Sequence, residues 1–332
     1  MTAGDEFVDP SDEGPVDPNK IERSADGRPR IRIECPNADE HVPDVLNPDQ
    51  PGRVPGKRGG TTKQCPKCKG RGYKTQLYTR CTSFVGVLDD RSALEAWQKR
   101  IVLAGMAVAP WLLDDVRAAS PEDKQTLDTI ASHAFEAGDG YEKARKGTDL
   151  HKLSELVDAG QPFPAELWNE DAQAWRPVTL QDRADMAAYV RVRDELGLVY
   201  LDRELFVVED EYGIGGTFDG LANIVEHPCF ECTAPVIVDL KTGRTDYGQG
   251  KMAQQLAVYS HSSRYDPATG ERTPLDACPH VGIIIALPQG TGEASVLLLD
   301  LERGWQAVAL SESVREYRRQ VGRGAYVIGG DR

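Results

Sequence analysis

No stretch of this 332-residue sequence approaches the roughly 18 uninterrupted apolar residues of a membrane helix, so a membrane-spanning chain is not expected. The start, Met1-Thr-Ala-Gly-Asp-Glu6, has neither the basic flank nor the apolar run of a signal peptide, and a cytoplasmic protein without a membrane partner is the expectation. An even, regularly spaced cysteine set is missing as well. The seven cysteines are an odd number, and two of the spacings are Cys-x-x-Cys, which points to thiols or metal ligands and excludes a secreted disulfide scaffold. The sequence Gly-x-x-x-x-Gly-Lys-Ser/Thr does not occur, so no phosphate-binding loop of a nucleotide-driven motor is present. A basic excess is lacking too: the net charge is -14, which on average disfavours a nucleic-acid partner.

That average conceals a segmented charge. Residues 1–50 carry 13 acidic and 5 basic side chains, whereas residues 51–80 carry 9 basic ones and no acid. The first 60 residues are rich in Pro, Gly, Asp and Glu with almost no periodic apolar positions. They cannot bury enough surface to offset the entropy of ordering, and a disordered acidic tail over 1–60 is expected. Residues 61–80 form a basic segment around Cys65-Pro-Lys-Cys68-Lys-Gly-Arg-Gly72, which reads as half of a zinc knuckle or as a flexible linker. A tetrahedral zinc site needs two more ligands. Candidates are Cys35, Cys81, or the pair Cys229 and Cys232 in His227-Pro-Cys-Phe-Glu-Cys232, with metal-free thiols as the alternative. Cys278 reads as a small buried hydrophobe.

Apolar periodicity of 3.6 predicts helices over 92–106 and 180–195, one opening at Ser120-Pro-Glu-Asp123, and one carrying Gly147-Thr-Asp-Leu-His151. The pattern then shifts to alternation and short apolar runs, which predicts strands over 200–208, 215–225 and 235–240. A helix over 248–264, strands over 281–286 and 294–299, and a helix over 304–321 follow. This order predicts an α/β fold with a mixed sheet flanked by helices.

Four pieces carry chemistry: His151 on a helix, Asp219 on a strand, Asp239-Leu-Lys241 ending the next strand, and Gln255-x-x-x-Tyr259 on the helix after it. Strand alternation puts Asp239 and Lys241 on one side and turns Leu240 back into the core. Close carboxylates repel, so such a cluster recruits a divalent cation, and oxygen ligands suit Mg2+ or Mn2+. A lysine beside them can stabilise charge developing on phosphorus or help to deprotonate water, which suggests phosphodiester hydrolysis.

Over residues 79–285 the sequence resembles the PD-(D/E)XK nuclease superfamily, in particular its RecB-like exonuclease group. The likeness rests on Gly147-Thr-Asp-Leu-His151, Gly216-Thr-Phe-Asp219, Val238-Asp-Leu-Lys-Thr-Gly243 and Gln255-Leu-Ala-Val-Tyr259. The resemblance implies a restriction-endonuclease-like sheet core over 198–332 behind a helical part over 81–197. It implies His151, Asp219 and Asp239 as ligands, with the Leu240 carbonyl, for one or two Mg2+ or Mn2+ ions. It further implies Lys241 as the catalytic lysine, Gln255 and Tyr259 as residues positioning DNA and that lysine, and Glu204 as a further acid. Iron-sulfur members of the group have three cysteines after the core. No cysteine follows Cys278, so no such cluster is expected. The implied activity is a DNA exonuclease of phage type in recombination, repair or replication, working beside a separate helicase, recombinase or single-strand-binding protein. A structure-selective endonuclease and a non-catalytic DNA-binding adaptor are the alternatives.

Overall fold

Two apolar runs, Val236-Ile-Val-Asp-Leu-Lys241 and Val281-Gly-Ile-Ile-Ile-Ala286, lie side by side at the centre of the molecule, as strands covered on both faces must. The structure is a computed structural model and describes residues 21–43, 50–56 and 61–321. The expected acidic tail therefore falls partly outside the described residues, at 1–20, 44–49 and 57–60.

The chain begins with short strands: β1 (Arg30–Glu34), β2 (Arg53–Pro55), β3 (Thr62–Gln64), β4 (Tyr73–Leu77) and β5 (Thr79–Arg80). Five helices follow: α1 (Cys81–Val85), α2 (Ser92–Val108), α3 (Leu112–Ala118), α4 (Lys124–Ala137) and α5 (Glu142–Asp158). A hairpin of β6 (Glu166–Asn169) and β7 (Ala174–Pro177) precedes α6 (Leu180–Leu196). The remainder is β8 (Val199–Glu209), β9 (Ile214–Asn223), β10 (Val236–Lys241), α7 (Gln249–Ser260), β11 (Ser263–Tyr265), β12 (Arg272–Pro274), β13 (Val281–Ala286), β14 (Ser295–Asp300) and α8 (Leu301–Gln320).

The central sheet is mixed, in the order β12-β11-β8-β9-β10-β13-β14, with β5 paired parallel to β9. β8, β9 and β10 are antiparallel neighbours, whereas β10 and β13 run parallel and are joined across α7, β11 and β12. Helices cover both faces. On one, α1, α7 and α8 bury Phe84, Leu256 and Leu301 against Phe218, Ile237 and Ile284. On the other, α5 and α6 bury Leu150, Leu153, Met186 and Tyr189 against Val238, Leu240, Ile283 and Ile285. Each such side chain contributes about 1.5–3 kcal/mol on burial, so the sheet is held from both sides. The mixed α/β expectation is met. Among the described residues no helix is long and apolar enough to cross a membrane.

Several local expectations shift. Residues 30–34 are not a disordered tail: β1 pairs antiparallel with β4, and Ile31 is fully buried against Tyr78, Phe206, Val208 and Tyr265. The alternation Arg-Ile-Arg-Ile-Glu marks a strand, but its acidic, Pro-rich surroundings submerge the signal. The helix expected to open at Ser120 starts at Lys124, because Asp123 is the residue whose side chain accepts from Thr126 N–H. The helix expected to reach residue 264 stops at Ser260, where pairing of Ser263 and Arg264 with β8 draws the chain into the sheet.

Candidate metal and phosphate cleft

On β10, Val236, Val238 and Leu240 pack with the α5–α6 core and Ile237 packs with the opposite one, so alternation places Asp239 and Lys241 on the α7 side. Asp239 is 1% exposed, and Lys241 Nζ lies 2.5 Å from its Oδ2. Burial, reinforced by the charge of Asp219, pushes the Asp239 carboxyl above the usual range, against the pull of Lys241. Burial also works to lower Lys241, but Asp239 and Asp219 outweigh it and hold the ammonium above its ordinary value. Gln255 and Tyr259 meet one turn apart on α7, where Gln255 Nε2 donates to Tyr259 Oη at 3.3 Å. Tyr259 is itself 2% exposed.

The pairing of β9 with β10 ends at Gly220 and Val238. Beyond that point Leu240 N–H has no partner on β9's backbone and donates to Asp219 Oδ2 at 2.8 Å. Leu240 thus meets the site through its N–H, while its side chain is in the core as alternation requires. His151 Nδ1 stands 3.5 Å from the same Asp219 oxygen. Glu204 comes from β8 with φ +48°, a left-handed conformation that a non-glycine residue adopts only when its surroundings enforce it. One donor atom each of His151, Glu204 and Asp219 lie within 4.8 Å of one another. Burial, then Asp219 and Glu155, push the Glu204 carboxyl up to about 8.

The seat of His151 is prepared one turn earlier. A Cβ on Gly147 would stand 2.8 Å from Thr242 Oγ1, so glycine lets α5 lie close against the segment after β10. Asp149 fastens α5 to the β6–β7 hairpin, accepting from Asn169 Nδ2 at 2.7 Å and facing Arg176 Nε at 3.2 Å. His151, Glu155, Glu204 and Asp219 line a cleft of about 840 Å3 together with the cations Lys143, Lys152 and Arg244.

Of the residues singled out from sequence, His151, Asp219 and Glu204 converge. Asp239 and Lys241 form their ion pair outside the set lining the cleft, and Gln255 and Tyr259 stand together on the α7 side. The residues present fit a hard divalent cation. The donor set is two carboxylates and an imidazole, and the buried Asp239 carboxylate, paired with Lys241, lies near enough to Asp219 to feel its charge.

Of the candidates to complete the Cys65–Cys68 pair, the structure brings up Cys35 and keeps Cys229 and Cys232 apart from it. Cys65 and Cys68 gather with Cys35 and with His41, a residue the sequence reading passed over. Cys229 lies 3.9 Å from Cys232, and Cys232 lies 3.3 Å from Cys278, in a second group beside His227. His227 is already engaged there, with Nε2 on Ala234 O at 2.8 Å and Nδ1 accepting from Cys229 N–H at 3.1 Å. Cys81 joins neither group. It is buried beside Tyr259, and burial pushes its thiol up to about 12.

No family model matches the sequence, and no curated protein matches it. Among the solved structures that match is one titled "Crystal structure of SSO0001", 13% identical over 53% of this chain and 70% of that one, with a TM-score of 0.23.

Proposed function

We propose that the chain is a metal-dependent DNA exonuclease of the RecB-like PD-(D/E)XK type, on a restriction-endonuclease-like core. The observation that carries this reading is the convergence of His151, Glu204 and Asp219 in a cleft that also presents Lys143, Lys152 and Arg244. Acidic donors beside cations suit a phosphodiester: the cations hold phosphate oxygens, and the acids hold what neutralises charge at phosphorus. Mg2+ or Mn2+, held by His151, Glu204 and Asp219 with Asp239 close by, would supply Lewis acidity and an activated water. Leu240 N–H fixes the orientation of Asp219, and the His151 imidazole beside the same oxygen would serve as a further ligand. Lys241, kept protonated by Asp239, supplies positive charge for the leaving or attacking oxygen, and Tyr259 with Gln255 keeps the α7 side of the site in register.

Cleavage of end-labelled linear DNA should require Mg2+ or Mn2+ and stop in excess EDTA. Covalently closed circles should survive, since an exonuclease needs an end. Cutting of circles would make the chain an endonuclease on the same fold. Binding without cutting in either metal would make it an adaptor.

The basic segment offers a further phosphate-binding surface. Lys63, Lys67, Lys69 and Arg71 are all exposed, and residues 61–77 contain no acid. Replacing these four by alanine should weaken binding to every sequence alike. It should also flatten the dependence of log affinity on log salt by about 3 to 4, the slope expected for four released counterions. An unchanged slope in a salt titration would place DNA elsewhere.

A further inference from the structure

We propose that Cys35, His41, Cys65 and Cys68 bind one zinc ion in a tetrahedral Cys3His site, and that this ion is what folds the segment between β1 and β4. The site owes nothing to the carboxylate cleft and stands whether or not the chain is a nuclease.

Distances carry the argument first. The sulfurs of Cys35 and Cys65 are 3.8 Å apart, and Cys68 Sγ is 3.7 Å from His41 Nε2. A tetrahedron with Zn–S bonds of about 2.3 Å has S···S edges of about 3.8 Å, and with a Zn–N bond of about 2.05 Å its S···N edges are about 3.6 Å. A disulfide would need about 2.05 Å, and these cysteines are free. Three sulfurs and an imidazole select zinc over the hard cations suited to the cleft.

The surroundings carry it further. The buried cluster of this segment is Cys35, Val54, Cys65 and Cys68, so three of its four members are sulfur donors and little apolar surface remains to hold it. Among the described residues, strands β2 and β3 have three residues each and pair only with one another. A segment so poor in core needs a staple. The backbone is already shaped around the sulfurs. Asn37 N–H donates to Cys35 Sγ at 3.5 Å, and the N–H groups of Lys67 and Cys68 face Cys65 Sγ. Lys69 and Gly70, at φ +53° and +86°, turn the chain back after the second ligand of the pair. Gly52 lies so close that a Cβ there would stand 2.3 Å from Cys68 Sγ. N–H groups aimed at the sulfurs and tight left-handed turns around a Cys-x-x-Cys pair suit a metal-bound thiolate pair.

The test uses the full chain purified from zinc-containing medium and dialysed against a weak chelator. Elemental analysis should find zinc, and Cys65→Ser should lose one equivalent while Cys232→Ser keeps that equivalent. Replacing the zinc with Co2+ should give intense tetrahedral visible bands and a thiolate-to-metal charge-transfer band. His41→Cys should retain the metal and shift those bands towards a four-sulfur pattern, a readout that does not depend on Cys65→Ser folding. A strong chelator should expose the segment between β1 and β4, residues 35–72, to protease while the sheet core stays resistant. Zinc-free protein, zinc content unaltered by Cys65→Ser, or a cobalt spectrum indifferent to His41→Cys would each overturn the site.

Discussion

Asp219→Ala is expected to lower single-turnover DNA cleavage by at least about 1,000-fold, or about 4 kcal/mol of transition-state stabilisation. Asp219 has two duties: it shares the donor cluster with His151 and Glu204, and it accepts the N–H that β10 no longer shares with β9. Alanine removes both. Asp219→Asn separates them, because its carbonyl oxygen still accepts from Leu240 N–H while the charge is gone. The asparagine variant should therefore keep the parental melting temperature and be as inactive as alanine, with DNA affinity held by the basic segment. Parental cleavage by Asp219→Asn would remove the cluster from the chemistry and with it the nuclease reading.

Lys241→Ala is expected to cut cleavage by at least about 100-fold while equilibrium DNA binding changes little, since its charge matters most when negative charge accumulates at phosphorus. Breaking a buried ion pair ordinarily strands the partner charge. Here Asp239 is already biased by burial towards its protonated form, so it can take up a proton once the lysine is gone, and the fold should survive. Tyr259→Phe should be milder, because it removes only the hydroxyl to which Gln255 donates. Single-turnover rates, binding isotherms and melting curves on the same samples separate the effects. A parental rate for Lys241→Ala would bring the adaptor alternative forward.

The sheet was legible where its signal is redundant. Val236-Ile-Val-Asp-Leu-Lys241 has length, β-branching and alternation all pointing one way, and Asp239 and Lys241 fall on one side of it as alternation requires, although neither lines the cleft. The helices from Ser92 and Leu180 were likewise legible from apolar spacing, as their observed starts show. Glu204 was harder. It sits in Asp202-Arg203-Glu204, and what brings it to the site is a left-handed φ that nothing in that triplet announces. His41 was missed for a different reason: a metal site collects ligands across loops, and the loop between β1 and β2 has the composition of a tail. The β6–β7 hairpin was missed because its strands are four residues long, and its cross-strand pair of Trp168 and Trp175, with ring centroids 5.7 Å apart, is a tertiary fact. Sorting the cysteines needed the fold itself, since Cys278 reaches Cys232 from 46 residues away.

The pairing of β5 with β9 sets a timetable for the nascent chain. Thr79 is bound to Ile214, 135 residues further on, and closing so long a loop is entropically uphill until the strands around β9 are in place. At translation speeds of about 5–20 residues per second, β9 emerges roughly 7 to 27 s after β5. During that interval everything ahead of β5 has no sheet to dock on. Ile31 has to wait as well, because Phe206 and Val208 emerge only just ahead of β9 and Tyr265 later still. The described segment from β1 to β4 therefore leaves the ribosome well before the strands that cover it. Its early order must come from contacts it makes with itself.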